Sequence, residues 1–180
     1  MITIEQLKAI MPGGSTRAAR FIDPLNKAMV KFDIDTVPRM ASFLAQIAHE
    51  SGQLLYVQEL ASGDAYENRK DLGNTHPGDG RMFRGRGLIQ ITGRGDNQAC
   101  ADFFKMNLLD FLAWVIQDEG AAMASGWWWY KHNANLVADT GDELAVSRLV
   151  NCGSAHSKCT PNGLDKRLAF KAVALRVLGG

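Results

Sequence analysis

A helix with an apolar stripe that ends on a carboxylate constrains this chain more than any other feature. Met40, Leu44, Ile47 and Ala48 fall at helical spacing after a Thr36 cap and form one buried face. His49 and Glu50 occupy the last turn. Ser51-Gly52 stops the helix, since glycine commonly stands just past a helix end and lets the chain turn. A second acid, Glu59, follows nine residues after Glu50. Along one continuous helix the two would lie about 13.5 Å apart on roughly opposite faces. The break at Ser51-Gly52 lifts that restriction and lets Glu59 fold back toward the helix end.

The surroundings of the two acids differ in a way that suits chemistry. The last turn of a helix presents unpaired carbonyls, and the apolar stripe excludes water. Both disfavour a charged Glu50 and favour the protonated form that a general acid needs. Glu59, on a more exposed segment, is expected to stay ionised and to serve as base. Two carboxylates tuned in opposite directions are the equipment for cleaving a glycosidic bond. The plain alternative is a pair of solvated acids, because glutamates are mostly exposed. Glu67, in the following loop, is the reserve candidate for the base.

The rest of the chain reads as a scaffold for these groups. Thr3 and Gln6 spell a capping box for a short first helix that Pro12-Gly13-Gly14 ends. Ser15 is expected to cap a second helix, which Asp23-Pro24 kinks or restarts. Residues 61–82, rich in Gly, Asp, Asn and Pro, read as an irregular loop. Loops of that length inside a compact domain are more often functional than idle. A short strand is expected at 88–92, with Leu88, Gln90 and Thr92 on one face and Ile89 and Ile91 on the other. Helices follow at about 96–105, 109–117, 118–131, 142–150 and 163–178, the last capped by Asn162. Trp127, Trp128 and Trp129 point about 100° apart on one helix, so one or two are expected inside and another near the surface. The fold class is mainly α with a small β element.

Composition excludes several classes of function. A formal net charge of +1 argues against a protein built to hold nucleic acid, although Arg81, Arg84, Arg86 and Arg94 form a local basic cluster. No apolar run approaches the roughly 20 residues that span a bilayer, and the first residues lack the pattern of a secretory signal. A cytoplasmic protein is the resulting expectation. Gly85-Arg86-Gly87 lacks the rest of either phosphate-binding loop, and His49-Glu50 lacks the second histidine of a zinc protease. Cys152 and Cys159 flank a loop and can pair. With His156 they supply only three ligands at a spacing that fits no common zinc site, so no metal is expected.

The residues from Phe43 to Gly52 carry a resemblance to a known family. So do Tyr66-Glu67-Asn68-Arg69, Asp71 to Thr75, Pro77 to Gly80, Phe83 to Arg94, Val150-Asn151 and Gly163 to Arg167. On these stretches the chain resembles glycoside hydrolase family 19, the chitinase-like and lysozyme-like enzymes, and most of all its short bacterial and bacteriophage endolysins. The resemblance covers about residues 36–178, with 1–35 as helices completing a single catalytic domain of 1–180. It implies a two-lobed, lysozyme-like α-rich fold and an inverting glycosidase that needs no cofactor. Glu50 takes the general-acid position and Glu59 the base position. Thr92 falls where a hydroxyl helps to hold the attacking water, and Gln90 and Asn151 fall on sugar-binding positions. His49, Tyr66 and Arg167 complete the expected substrate-binding set. Inversion needs the two carboxyl groups about 6.5–9.5 Å apart, with room for a water.

Three positions depart from the family pattern. Asp96 stands where an asparagine is usual, with Asn97 one later. Asn151-Cys152-Gly153 replaces Asn-Gly-Gly. Ala155-His156 replaces the acid that pairs with the later arginine in some members. The expected function is an endolysin-type peptidoglycan hydrolase, a muramidase. Chitinase activity is the alternative within the enzyme class, and a non-catalytic wall-binding module the alternative outside it. The expected partner is bacterial peptidoglycan or a chitin-like polysaccharide. The protein is expected to be a monomer that does not insert in the membrane and is held in the cytoplasm until that membrane is permeabilised.

Overall fold

The computed structural model describes residues 1–179, and the capping box is where its first helix begins. Thr3 and Gln6 bond each other's backbone N–H groups and start α1, Ile4–Ile10. A 3₁₀ turn at Pro12–Gly14 leads to α2, Ala18–Lys31. Ser15 does not cap it: its hydroxyl donates to the Pro12 carbonyl, and Arg17 stands at the cap position with its side chain on the Gly13 and Gln53 carbonyls instead. Pro24 neither breaks nor restarts α2, which runs through it. An interior proline costs about 3 kcal/mol. Phe21, Leu25 and Met29 are buried on the face packed on α7, and each contributes roughly 1.5–3 kcal/mol. The burial wins.

Helix α3, Val37–Glu50, has the expected Thr36 cap, whose hydroxyl accepts from Arg39 N. Every residue from Ala41 to Ala48 is buried. The long loop contains two 3₁₀ turns, at Asp64–Tyr66 and Lys70–Leu72, and a single helical turn, α4, Asp79–Met82. After it come α5 Arg94–Phe103, α6 Leu108–Trp114, α7 Asp118–Lys131, α8 Ala134–Asp139, α9 Glu143–Cys152 and α10 Leu164–Gly179. Helix α8 was not expected, because six residues are too few to display a period. Just before α10, the Asn162 carbonyl accepts from Arg167 Nε at 2.9 Å.

The fold is mostly helical, and the small β element shrinks to two antiparallel bridges, Gln58 with Arg86 and Arg86 with Ile91. The expected strand at 88–92 is a tight turn. Gly87 and Gln90 both have positive φ, 78° and 58°, so the chain reverses between Arg86 and Ile91, which exchange two backbone hydrogen bonds. Strict alternation is lost with it: Leu88, Ile89 and Ile91 are all buried.

Two helix pairings organise the core, α3 against α10 and α2 against α7. Trp127, Trp128 and Trp129 are all buried, contrary to the expectation that one would reach the surface. The reason is that α7 is enclosed on every side, as a helix that is apolar all round must be. Trp129 meets Phe43 of α3 edge-on at 5.3 Å and donates to Asn135. Neighbours approach so closely that glycine is required. A Cβ on Gly120 would lie 2.0 Å from the Trp114 carbonyl oxygen, and one on Gly126 2.5 Å from the Phe32 ring. Among the described residues no helix is long and apolar enough to cross a membrane.

Candidate active site

The end of α3 turns the chain back on itself by a left-handed run. Gly52, Gln53 and Leu54 have φ of 57°, 58° and 68°, and only the first is a glycine. Ser51 holds this bend together. Its hydroxyl donates to the Ile47 carbonyl and accepts from Leu54 N, while its own carbonyl accepts from Leu55 N and Tyr56 N at 3.0 and 2.9 Å. Leu54 is buried, and its packing offsets the cost of a bulky left-handed residue. Tyr56 is thereby returned to the helix end. Only Val57 and Gln58 separate it from Glu59, at most roughly 10 Å of extended chain. The turn expected at Ser51-Gly52 is present, and Ser51 does more of the work than the glycine.

Glu50 emerges half-buried at the end of α3. Its Oε1 accepts a hydrogen bond from Nη2 of Arg167, a residue of α10 with no exposed surface. This is a correction to the expected site: Arg167 is too deeply buried to touch a sugar. It touches Glu50, and a cation therefore sits beside the carboxylate whose surroundings had been read only as apolar and negative. Arg167 also donates to the Asn162 carbonyl at 2.9 Å and to Oε1 of Gln46. Asn162 N in turn donates to Oδ1 of Asn151 at 2.8 Å. Asn151 is exposed near the end of α9. The His49 ring packs on Gly163, where a Cβ would lie 2.0 Å from Cε1. Burial first, and the Arg167 charge second, hold the His49 pKa below its ordinary value. The imidazole is therefore neutral near pH 7.

Glu59 is held by different groups. Its backbone N–H donates to the Gly85 carbonyl, and its Oε2 accepts from Gly85 N at 3.1 Å. Its Oε1 accepts from the Tyr66 hydroxyl at 3.1 Å. Burial, and then the bond to Glu59, raise the Tyr66 pKa, so the phenol stays protonated and donates. Tyr66 is thus placed as the partner of Glu59. Gln90 and Thr92 stand over the same glycine. A Cβ on Gly85 would lie 2.6 Å from Gln90 Oε1 and 3.3 Å from Thr92 Oγ1. Glu59, Tyr66, Gln90 and Thr92 therefore gather around Gly85. Beside Thr92 opens a cavity of about 130 Å³ lined by Asp71, Leu72, Gly73, Gly95 and Asp96. Two wider depressions, near Arg148 and His156 and near Met1 and Lys27, are lined by none of the expected site residues.

Glu67 lies outside this cluster. Its two carboxylate oxygens accept from Gly78 N and Gly80 N, both at 2.7 Å, and so hold the start of α4. Both oxygens of the reserve base candidate are thus engaged away from Gly85. Arg86 donates to the carbonyls of Met82 and Arg84, and burial lowers its pKa. Asp79, buried, pairs with Arg94, whose guanidinium holds its carboxyl well below the usual carboxylate range. Asp96 pairs with Lys131 at 2.6 Å, and Asn97 is buried with its amide on the Gly93 carbonyl. Cys152 and Cys159 are joined in a disulfide just beyond Asn151. Sequence reasoning missed Gln46, a polar residue among apolar neighbours, and the Gly85 backbone. The first left a visible signal. The second left none, because a backbone N–H has no letter.

Relatives by sequence and by fold agree with one another. No family model matches the chain. An endochitinase of Arabidopsis thaliana is 29% identical over 90% of this chain and 53% of its own length. A glycosyl hydrolase family 19 domain-containing protein of Haemophilus influenzae is 27% identical over 72% of this chain and 74% of its own length. The chain spans about half the length of the plant relatives it matches. Chitinase C of Streptomyces griseus superposes with a TM-score of 0.77 at 21% identity, covering 99% of this chain and 76% of that one. A bacterial family 19 chitinase superposes with a TM-score of 0.73 at 21% identity, covering 99% and 95%.

Proposed function

We propose that this chain, a member of glycoside hydrolase family 19, hydrolyses the β-1,4 backbone of an N-acetylated polysaccharide with inversion. The observation that carries the reading is the assembly of two glutamates held by unlike means. Glu50 is backed by a buried cation, and Glu59 is fixed by neutral donors beside Gln90 and Thr92. In this reading Glu50 gives its proton to the leaving glycosidic oxygen, and Arg167 stabilises the carboxylate that forms. Glu59 takes a proton from the water that attacks the other face of the sugar, and the Thr92 hydroxyl helps to hold that water. The chain reversal at residues 51–56 supports the reading by returning the segment that leads to Glu59 to the end of the Glu50 helix. Gln90, Asn151 and His49 bind sugar.

Chitin-type chains of β-1,4-linked N-acetylglucosamine are the first substrate reading, because the named relatives are endochitinases. The glycan strand of peptidoglycan is the second, favoured by the resemblance of residues 36–178 to short endolysins. On that second reading the protein would wait in the cytoplasm and act on the wall after membrane permeabilisation.

One experiment separates the readings. Purified peptidoglycan and soluble chitin oligomers are digested side by side, with mass spectrometry of the new ends and proton NMR of the first-formed anomer. Cleavage of chitin oligomers to α-anomers is the expected result. Muropeptides cut after N-acetylmuramic acid, with chitin untouched, would replace it with the muramidase reading. A β-anomer first would sink inversion, and no cleavage of either polymer would sink the function.

A further inference from the structure

Behind the Glu50–Arg167 pair, a row of polar side chains crosses the packed interface of α3, α9 and α10. Ser42, Gln46, Ser147 and Arg167 have no exposed surface, and Glu143 and Lys171 are each 6% exposed. Lys171 Nζ lies 3.2 Å from Glu143 Oε2 and donates to Ser42 and to the Pro38 carbonyl. Ser42 Oγ donates to the same Glu143 oxygen at 2.8 Å. The other oxygen, Oε1, accepts from Gln46 Nε2 at 2.7 Å, and Nε2 also donates to Ser147 at 3.1 Å. Gln46 Oε1 accepts from Arg167 Nη1, and Arg167 Nη2 reaches Glu50.

The direction of each bond in this row is forced. A carboxylate only accepts and a guanidinium only donates, while an amide does one at each end. With Glu143 on one side and Arg167 on the other, the Gln46 amide fits only one way round. Glu143 and Lys171 neutralise each other, and Gln46 carries no charge. Among the described residues Glu50 is therefore the one full counter-charge in contact with Arg167. Buried ion pairs add little to stability compared with apolar packing, so such a row is best explained by what it orients.

We propose that Gln46 and Glu143 are positioning residues for the glycosidase reaction. Glu143, held by Lys171, sets the direction of the Gln46 amide, and Gln46 holds Arg167 with its charge turned onto Glu50. The proposal rests on the glycosidase reading above. It bears on the third departure from the family pattern: with Ala155-His156 in place of an acid, Gln46 is the buried side chain that holds Arg167 beside Glu50.

The test uses Gln46→Met and Glu143→Gln, each checked by circular dichroism and melting. Both are expected to lower kcat by about ten- to a hundredfold, the scale of a small misplacement of a catalytic group, with KM within about twofold. A second readout does not need turnover: the Arg167 guanidinium resonances and the Glu50 carboxyl titration by NMR. That titration is read against the other charges at this helix end, His49, Asp165, Lys166 and Arg167. Both signals are expected to change in the variants. Folded variants with wild-type kcat and unchanged Arg167 signals would overturn the proposal. So would losses that only track the unfolded fraction. Where a single variant does not fold, Glu143→Gln with Lys171→Met removes both ions together and carries the same readouts. If the wild type cleaves no glycan, the parent reading fails, and the NMR signals alone decide whether Gln46 holds the pair.

Discussion

Glu50 and Glu59 are the same amino acid nine residues apart, yet the molecule holds them in opposite ways. Glu50 belongs to a helix in which every residue from Ala41 to Ala48 is buried, and its partner is a guanidinium locked in the core. Glu59 belongs to a loop, and its partners are a backbone N–H and a phenol. The first arrangement sets a buried cation against a half-buried carboxylate. The second fixes a position while leaving the carboxylate among neutral donors. The proposed glycosidase reading uses that asymmetry, since there one group gives a proton and the other takes one.

The largest expected effect breaks the first side. Glu50→Gln should lower kcat by about 10³–10⁴-fold with the melting temperature nearly unchanged, read by end-group release from chitin oligomers. Turnover near wild type would remove the acid assignment. On the loop side, Glu59→Gln should cost about 10²–10³-fold in the same assay. Glu67→Gln should leave kcat within about twofold and cost roughly 1 kcal/mol of stability, because its bonds are structural. The reverse ranking would make Glu67 the base after all.

Next comes the brace under the loop. Asp79→Asn should destabilise the fold by about 2 kcal/mol at pH 7, less than for a fully buried pair because Arg94 is 31% exposed. The folded-state pKa of Asp79 is depressed, so its contribution is complete above the unfolded value and is lost as the pH falls below about 4. Urea titrations of both proteins should therefore converge in acid, and a constant gap from pH 7 to pH 3 would count against the ion pair. The smallest effect sharpens the loop side. Tyr66→Phe should reduce kcat by about five- to tenfold, the worth of one hydrogen bond, with little change in KM. A rise in KM alone would make Tyr66 a sugar contact instead.

Much of the helical half was legible because its signals are local. The Thr3–Gln6 box, the Thr36 cap and the 118–131 helix stand where propensity and period put them. The loop half was less so. The turn at 88–92 depends on a left-handed Gln90, which no rule would assign to glutamine ahead of glycine. Glu67 and Glu59 look alike as letters, and only the backbone N–H groups that meet them tell a cap from a site residue. Arg167 was expected at a sugar and lies in the core, because burial of a charged residue is decided by partners from other helices.

The sequence by itself determined the helical class, the break after Glu50 and the two carboxylates on which the proposed function rests. These follow from spacing, capping and the conformational freedom of glycine, all acting within a few residues. The tertiary structure alone decided which groups hold those carboxylates. Arg167 stands 117 positions from Glu50, and Gly85 stands 26 from Glu59. Electrostatic surroundings are made of whatever the fold brings near, and the order of residues along the chain does not fix that.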